Sequence, residues 1–259
     1  MSLRALQSSR RVPERRSPWI MDLPASCKRS RAVPMPVRKI HQFFFKFEAL
    51  RTLEDYPLFV RSREMWRSME GWSYILWDEE CVEALISKHC PEMWQTYSAL
   101  RYPIQRVDLA KYMVAHFVGG LIVDLDVLPK CHVDDIIGDK SFVFDRCSRR
   151  HVVANDFFYI AEPGGLPNLN EFFIANLARV NSIDVYEQRK MRYVFQTSGP
   201  DFWTRYLKRA GLDGFVFALS DRVFADHKQT WRNTYAEDPK LEVLHQLSWV
   251  PQLHSTSGV

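Results

Sequence analysis

No stretch of this chain approaches the roughly 18 consecutive apolar residues that a membrane-spanning helix needs. The apolar patch Trp19-Ile20-Met21 near the start is too short to be the core of a secretory signal. Cysteine is sparse as well. Cys27, Cys81, Cys90, Cys131 and Cys147 are odd in number and never fall in C-x-x-C spacing. That argues against a disulfide framework or a zinc cluster, and for reduced thiols in an intracellular, cytoplasmic protein. Internal repeats and low-complexity blocks are also missing, so a solenoid is not expected. What remains is an ordinary globular composition over 259 residues, 46% apolar and 25% charged, with a high 14% of aromatics. The length suits one large α/β domain or two small ones.

The net charge of +4 is unevenly spread. Residues 1–39 hold ten Lys/Arg against two Asp/Glu, and the remainder carries a net −4. Residues 1–36 are also rich in Ser and Pro and poor in periodic apolar positions, as in a flexible basic tail. A solvated leader is the preferred reading of that tail over contact with nucleic acid or an anionic membrane. The basic pI therefore says little about a folded domain spanning 37–259.

Within that domain, local patterns alternate between strand and helix. VRKIHQFFFKF follows Pro-x-Pro and is rich in β-formers, which predicts a first strand. Tyr56-Pro57 opens a helix through Met65 and Trp66. WSYILW after Gly71 is a second strand, and Asp78 is placed to cap a helix that runs to about His89. Pro91 begins a short helix with Trp94 and Tyr97. Ser141–Phe144 and Phe157–Ile160 read as strands, Leu169–Leu177 as a helix, and Thr197-Ser198-Gly199-Pro200 as the entry to another. Gly214–Leu219 is a late strand. Residues 220–240 look irregular and mobile, and the segment LEVLHQLSWVP follows near the end of the chain. Such alternation predicts an α/β/α sandwich around a mainly parallel sheet.

One stretch, Arg106 to Pro129, concentrates the chemistry. Val107, Ala110, Val114 and Phe117 form an apolar stripe at helical spacing, and Gly119-Gly120 ends it. Leu121-Ile122-Val123 is a short apolar run with β-branching, as in a strand buried on both faces. Asp124 and Asp126 then stand where the strand leaves the core. In an extended segment their side chains leave on the same side, and two converging carboxylates repel unless a cation joins them. Hard divalent ions, Mn²⁺ or Mg²⁺, prefer such oxygen ligands. A D-x-D alone is also what a solvated turn looks like; its setting at a strand's C-terminus in an α/β chain favours a site.

The segments IHQFFF, WSYILWDEE, VDLAKY, GGLIVDLDV, the Asn155 stretch followed by EPG, TSGP and HQLSW stand in an order that resembles the DxD-containing sugar transferases of glycosyltransferase family 32. These are similar to initiating α-1,6-mannosyltransferases and, more distantly, to the glucosylating domains of clostridial toxins. The resemblance covers about residues 37–250. It implies a GT-A fold, a nucleotide-sugar donor (UDP- or GDP-linked) and a hydroxyl acceptor such as a glycan, with no nucleic-acid partner.

Residue by residue, the resemblance places Asp126 on Mn²⁺ or Mg²⁺, and Asp124 at the ribose and sugar with help to the metal. The family's S-D-x-x-R-Y appears here as Val107-Asp108-x-x-Lys111-Tyr112, so Asp108 and Lys111 are expected at donor hydroxyls, with lysine lacking arginine's planar fork. An exposed i, i+3 ion pair is the alternative reading of those two; their position one helix before the D-x-D strand favours the site. His41-Gln42-x-Phe44 matches a motif whose aromatic stacks on the base, which assigns Gln42 and Phe44 to the donor; Phe44 equally suits a core strand. Asn155 is expected near the sugar, although Asn is also a turn former. His245, Ser248 and Trp249 resemble a closing C-terminal element, with His245 able to complete the metal shell. Relatives retain the anomeric configuration, consistent with the absence of an obvious Glu pair. Two other readings stay open: a haloacid-dehalogenase-type phosphatase, whose first motif also reads strand-D-x-D, and a non-catalytic binder of nucleotide sugars.

Overall fold

A computed structural model of the protein describes residues 36–46, 52–146, 152–183, 189–226, 229–234 and 239–245, with side-chain surroundings left aside at 221–234 and 245. The basic segment 1–35, Ser248 and Trp249 lie outside the described residues.

The chain opens with strand β1 (Lys39–Phe43), then helix α1 (Pro57–Arg67), strand β2 (Ser73–Trp77) and helix α2 (Glu79–His89). Asp78 caps α2 as its sequence predicts, its Oδ1 accepting from the Cys81 amide at 2.8 Å. The short α3 (Trp94–Ser98) leads to α4 (Pro103–Val118) and β3 (Gly120–Val123). Beyond them come β4 (Val127–Pro129), α5 (Val133–Ile137), β5 (Phe142–Arg146), β6 (Val153–Ile160) and α6 (Leu169–Asn181). Then follow α7 (Lys190–Thr197), α8 (Pro200–Ala210), β7 (Val216–Phe217), β8 (Ser220–Asp226), β9 (Gln229–Thr234) and β10 (Leu241–His245).

Six strands form the central sheet in the order β2-β1-β3-β6-β5-β7, and a second sheet runs β4-β10-β8-β9. In the central sheet β1 lies parallel to β2 and β3, β5 lies parallel to β7, and β6 runs against both its neighbours. The sheet is thus mixed but mainly parallel, as expected. Apolar side chains cover both faces. Ile122, Phe144 and Phe158 pack with α2, α4, α6 and α8, while Leu121, Val123 and Phe157 pack with Trp66 of α1 and Val133 and Ile136 of α5. Strand β3 is buried throughout, which is why its sequence runs apolar instead of alternating.

One sequence expectation requires correction here. Residues 220–240 are not an irregular loop, because β8 and β9 pair as an antiparallel hairpin and β8 runs parallel to β10. Their polar composition hid strands that belong to the edge sheet.

The glycine pair before β3 is required by geometry. Gly119 and Gly120 hold φ of 70° and 101°, in the left-handed region that L side chains rarely adopt. A Cβ at Gly120 would also lie 2.6 Å from the Lys39 carbonyl oxygen and 2.9 Å from His41 Nε2. That tight turn sends β3 back antiparallel to α4. Measured from the turn, seven residues of helix rise roughly 10 Å and four of strand roughly 13 Å. Lys111 on the helix is thereby brought level with Asp124 at the strand's end.

Candidate functional site

The D-x-D segment is a turn whose backbone is held on every side. Val127 N donates to the Asp124 carbonyl at 3.2 Å, closing the turn, so the aspartates do not continue the strand as the sequence suggests. Asp124 N donates to the Asp156 carbonyl at 2.8 Å. The Gln42 side-chain amide donates to the Asp124 carbonyl at 3.2 Å, and Leu244 N donates to the Asp126 carbonyl at 2.9 Å. Ser62 Oγ and Trp66 Nε1 both donate to the Val127 carbonyl at 2.8 Å. Between the two aspartates Leu125 is buried against Leu53 and Phe59, with Phe44 and Tyr56 beside them. A turn fixed in this way presents its carboxylates without reorganisation when a ligand arrives.

Four of the sequence-predicted residues meet here. Lys111 Nζ lies 2.6 Å from Asp124 Oδ1 and 2.8 Å from Oδ2, and 3.6 Å from Asp108 Oδ1. Asn155 Nδ2 donates to Asp108 Oδ1 at 2.8 Å. Asp108 and Lys111 are therefore not an exposed i, i+3 pair: their side chains are only 6% and 4% accessible, whereas that of Asp124 is 29% accessible. Asn155 and Asp156 reach this end of the sheet because β6 runs antiparallel to β3, so the start of one lies at the end of the other.

The electrostatics follow from burial and pairing. Burial acts against the charge on Lys111, but Asp124 and Asp108 overcome it and hold the ammonium above its ordinary pKa. Burial pushes Asp108 up, opposed by Lys111 and by hydrogen bonds from Ser198 and Asn155. Asp124 is also raised, by burial and by the carboxylates of Asp126 and Asp156, with Lys111 pulling the other way. Asp126 and Asp156 thus add negative charge beside the Lys111–Asp124 pair.

The site's other expected members are placed as follows. Gln42 is fully buried, donating to Ser62 Oγ at 3.0 Å and accepting from Tyr74 OH at 2.8 Å, so it braces the D-x-D turn from behind. Phe44 is half-buried beside Leu125, with its ring edge-on to Tyr56 at 6.2 Å. His245 ends β10, next to the D-x-D turn in register, and its side chain is outside the described set, as are Ser248 and Trp249 entirely. Two participants were not singled out from sequence. Ser198 Oγ donates to Asp108 Oδ2 at 2.8 Å, and Tyr112 OH fixes the Ser198 carbonyl at 2.6 Å. Asp156 adds charge beside Asp124. The signal for Ser198 was its TSGP segment; for Asp156 it was adjacency to Asn155.

A divalent cation fits this donor set. Asp126 and Asp124 offer hard oxygens at partly exposed positions, and Mg²⁺ or Mn²⁺ commonly takes one or two carboxylates and completes its shell with phosphates and water. Among the described residues no three His, Cys, Asp or Glu side chains form a closed metal cage.

Residues 58–143, which contain α4, β3 and the D-x-D turn, match the family described as the glycosyltransferase sugar-binding region containing the DXD motif. Through this region the chain is similar to the DXD-containing glycosyltransferases. It is 34% identical over 186 residues to the Saccharomyces cerevisiae mannosyl phosphorylinositol ceramide synthase CSH1, covering 72% of this chain and 42% of that protein. It is 26% identical over 165 residues to the SUR1 synthase of the same yeast, covering 62% and 41%. The chain thus spans under half the length of these relatives. Among solved structures, the PaToxG glycosyltransferase matches over 68% of this chain and 70% of its own, at 12% identity and a TM-score of 0.47. Among the described residues no helix is long and apolar enough to cross a membrane.

Proposed function

We infer that this DXD domain transfers a sugar from a nucleoside-diphosphate sugar to a hydroxyl acceptor, with a divalent cation at the D-x-D turn. The observation that carries the reading is the Asp108–Lys111–Asp124–Asn155 cluster, set at the C-terminal edge of β1 and β3, where α/β sheets bind ligands. Asp126, with Asp124 beside it, would hold Mn²⁺ or Mg²⁺. When bound, that ion supplies positive charge against the diphosphate that leaves as the sugar departs. The chain's own residues do the positioning. Lys111 and Asn155 fix the partly exposed Asp124 and the buried Asp108, and Asp108, held from three sides, presents an aligned acceptor to a sugar hydroxyl. Phe44 offers an aromatic edge for the base.

The names of the relatives favour mannose as the sugar and a phosphoinositol-lipid hydroxyl among the acceptors, and leave GDP- and UDP-linked donors both to be tested. The family match favours transfer over the phosphatase reading. Calorimetry of GDP and UDP, each with and without Mn²⁺, on wild type and Asp126→Ala tests the proposal. Manganese-dependent binding of one nucleotide, reduced at least about a hundredfold in the variant, is expected, since a ligand carboxylate is lost outright. Binding without turnover on any sugar donor would instead indicate a non-catalytic nucleotide-sugar binder. No binding to either nucleotide, with hydrolysis of a phosphate ester, would overturn the transferase reading.

A further inference from the structure

We propose that Lys111 is a built-in counter-ion that occupies the first carboxylate of the D-x-D and so keeps divalent cations from binding until a diphosphate arrives with them. The inference rests on the transferase reading for the identity of the diphosphate, and on geometry for everything else. Lys111 Nζ sits within 2.8 Å of both oxygens of Asp124, and its side chain is only 4% accessible. It also donates to the Asn155 carbonyl at 3.5 Å and lies 3.6 Å from Asp108 Oδ1 as an ion pair. Lysine carries three donors and no acceptor, so its nearest partners here are all oxygens that favour the charged form.

The consequence is electrostatic. A dication held by an Asp124 oxygen would lie within a few ångströms of the ammonium, partly buried, where like charges are weakly screened. Without Asp124 a cation would have at most the Asp126 carboxylate and water, a weak site for Mg²⁺ or Mn²⁺. A nucleoside diphosphate changes the balance, since its negative oxygens ligate the cation and offset its repulsion from Lys111. Lys111 acts as a positioning residue here, through Asp124 and not by contact with the metal. It also gives the lysine a role distinct from reaching donor hydroxyls.

The test is titration of Mn²⁺, read by electron paramagnetic resonance of the free ion, into wild type, Lys111→Met and Lys111→Arg, with no nucleotide and with saturating GDP or UDP. The expected result is that Lys111→Met binds Mn²⁺ about tenfold more tightly than wild type without nucleotide, the low end of what one charge at this distance does to a carboxylate's proton affinity. The gain in Mn²⁺ affinity on adding nucleotide should shrink correspondingly, and Lys111→Arg, which keeps the charge, should behave as wild type. Nucleotide-free affinity in Lys111→Met equal to or weaker than wild type would overturn the proposal. Should Lys111→Met fail to fold, Lys111→Met/Asp108→Asn removes one buried charge of each sign and carries the same expectation. Tighter Mn²⁺ in the variant with no response to either nucleotide would leave the charge assignment standing and overturn the transferase reading. Mn²⁺-dependent nucleotide binding without the tenfold gain would do the reverse.

Discussion

Strand β3 has a buried basic side chain at each end, and the two are kept in opposite states. At its start His41 is fully buried, accepting at Nδ1 from Trp77 Nε1 at 3.0 Å and donating from Nε2 to the Gly119 carbonyl at 2.9 Å. Burial drives its pKa down to about 4, with the Gly119 bond opposing and the charge of Lys39 adding to the fall. At its end Lys111 is equally buried, yet Asp124 and Asp108 keep it charged. Burial alone therefore does not decide charge; the partners do. A neutral imidazole satisfies one donor and one carbonyl completely, so the start of β3 is inert structure. An ammonium among carboxylates is satisfied only while charged, and it leaves net negative charge at the other end, where chemistry is expected.

The largest effect should come from breaking the charged end. Lys111→Met leaves Asp108 and Asp124 without their cation, and removing one partner of a buried ion pair costs about 3–5 kcal/mol. Chemical denaturation should show that loss, and Asp108→Asn added to Lys111→Met should restore part of it, since the doubly substituted protein buries one unpaired carboxylate fewer. Equal loss in the single and double variants would mean that packing of the lysine stem, and not charge, dominates.

The neutral end should fail only in acid. The folded pKa of His41, about 4, lies below the ordinary 6.5, so between those values the unfolded chain binds a proton that the fold refuses. Stability therefore rises with pH across that window and is lost as pH falls through it, by about 3 kcal/mol in all. Melting temperature followed from pH 7 to 4 should fall more steeply in wild type than in His41→Gln, which has no proton to gain. Parallel pH profiles would show that carboxylates elsewhere control the acid response.

Sequence and structure agree where the signal is local. The stripe on α4, the Asp78 cap, the glycine stop and the apolar run of β3 each follow from neighbouring residues, and all appear as expected. What was not legible depends on distant partners. The β8–β9 hairpin is polar, and its strand character comes from pairing with each other and with β10. The D-x-D reads as a strand's end but closes as a turn because Gln42, Asp156 and Leu244 each engage its backbone. The position of Asp108 and Lys111 one helix before the D-x-D strand favours a site over a surface pair, yet nothing in an i, i+3 spacing reveals that a strand thirteen residues on will bring Asp124 to the ammonium. Four of the expected donor residues converge, while Ser248 and Trp249 fall outside the described chain.

The smallest effect sharpens the comparison most, because it separates the partner from the burial. Trp77→Phe keeps an aromatic ring against Phe43, which now stacks on Trp77 at 6.4 Å, and deletes the N–H that points at His41 Nδ1 together with part of the indole ring. Loss of one such hydrogen bond should cost about 1 kcal/mol at pH 7. In wild type a proton on Nδ1 would set two N–H groups against each other; without the indole donor that clash is gone, while His41 stays buried. The folded pKa should therefore move up toward 6.5 and the acid loss of stability should become smaller, even though the protein is weaker at neutral pH. NMR titration of the imidazole in both proteins reads this directly. An unchanged His41 pKa in Trp77→Phe would mean that burial alone keeps the imidazole neutral, and that the contrast between the two ends of β3 does not rest on their partners.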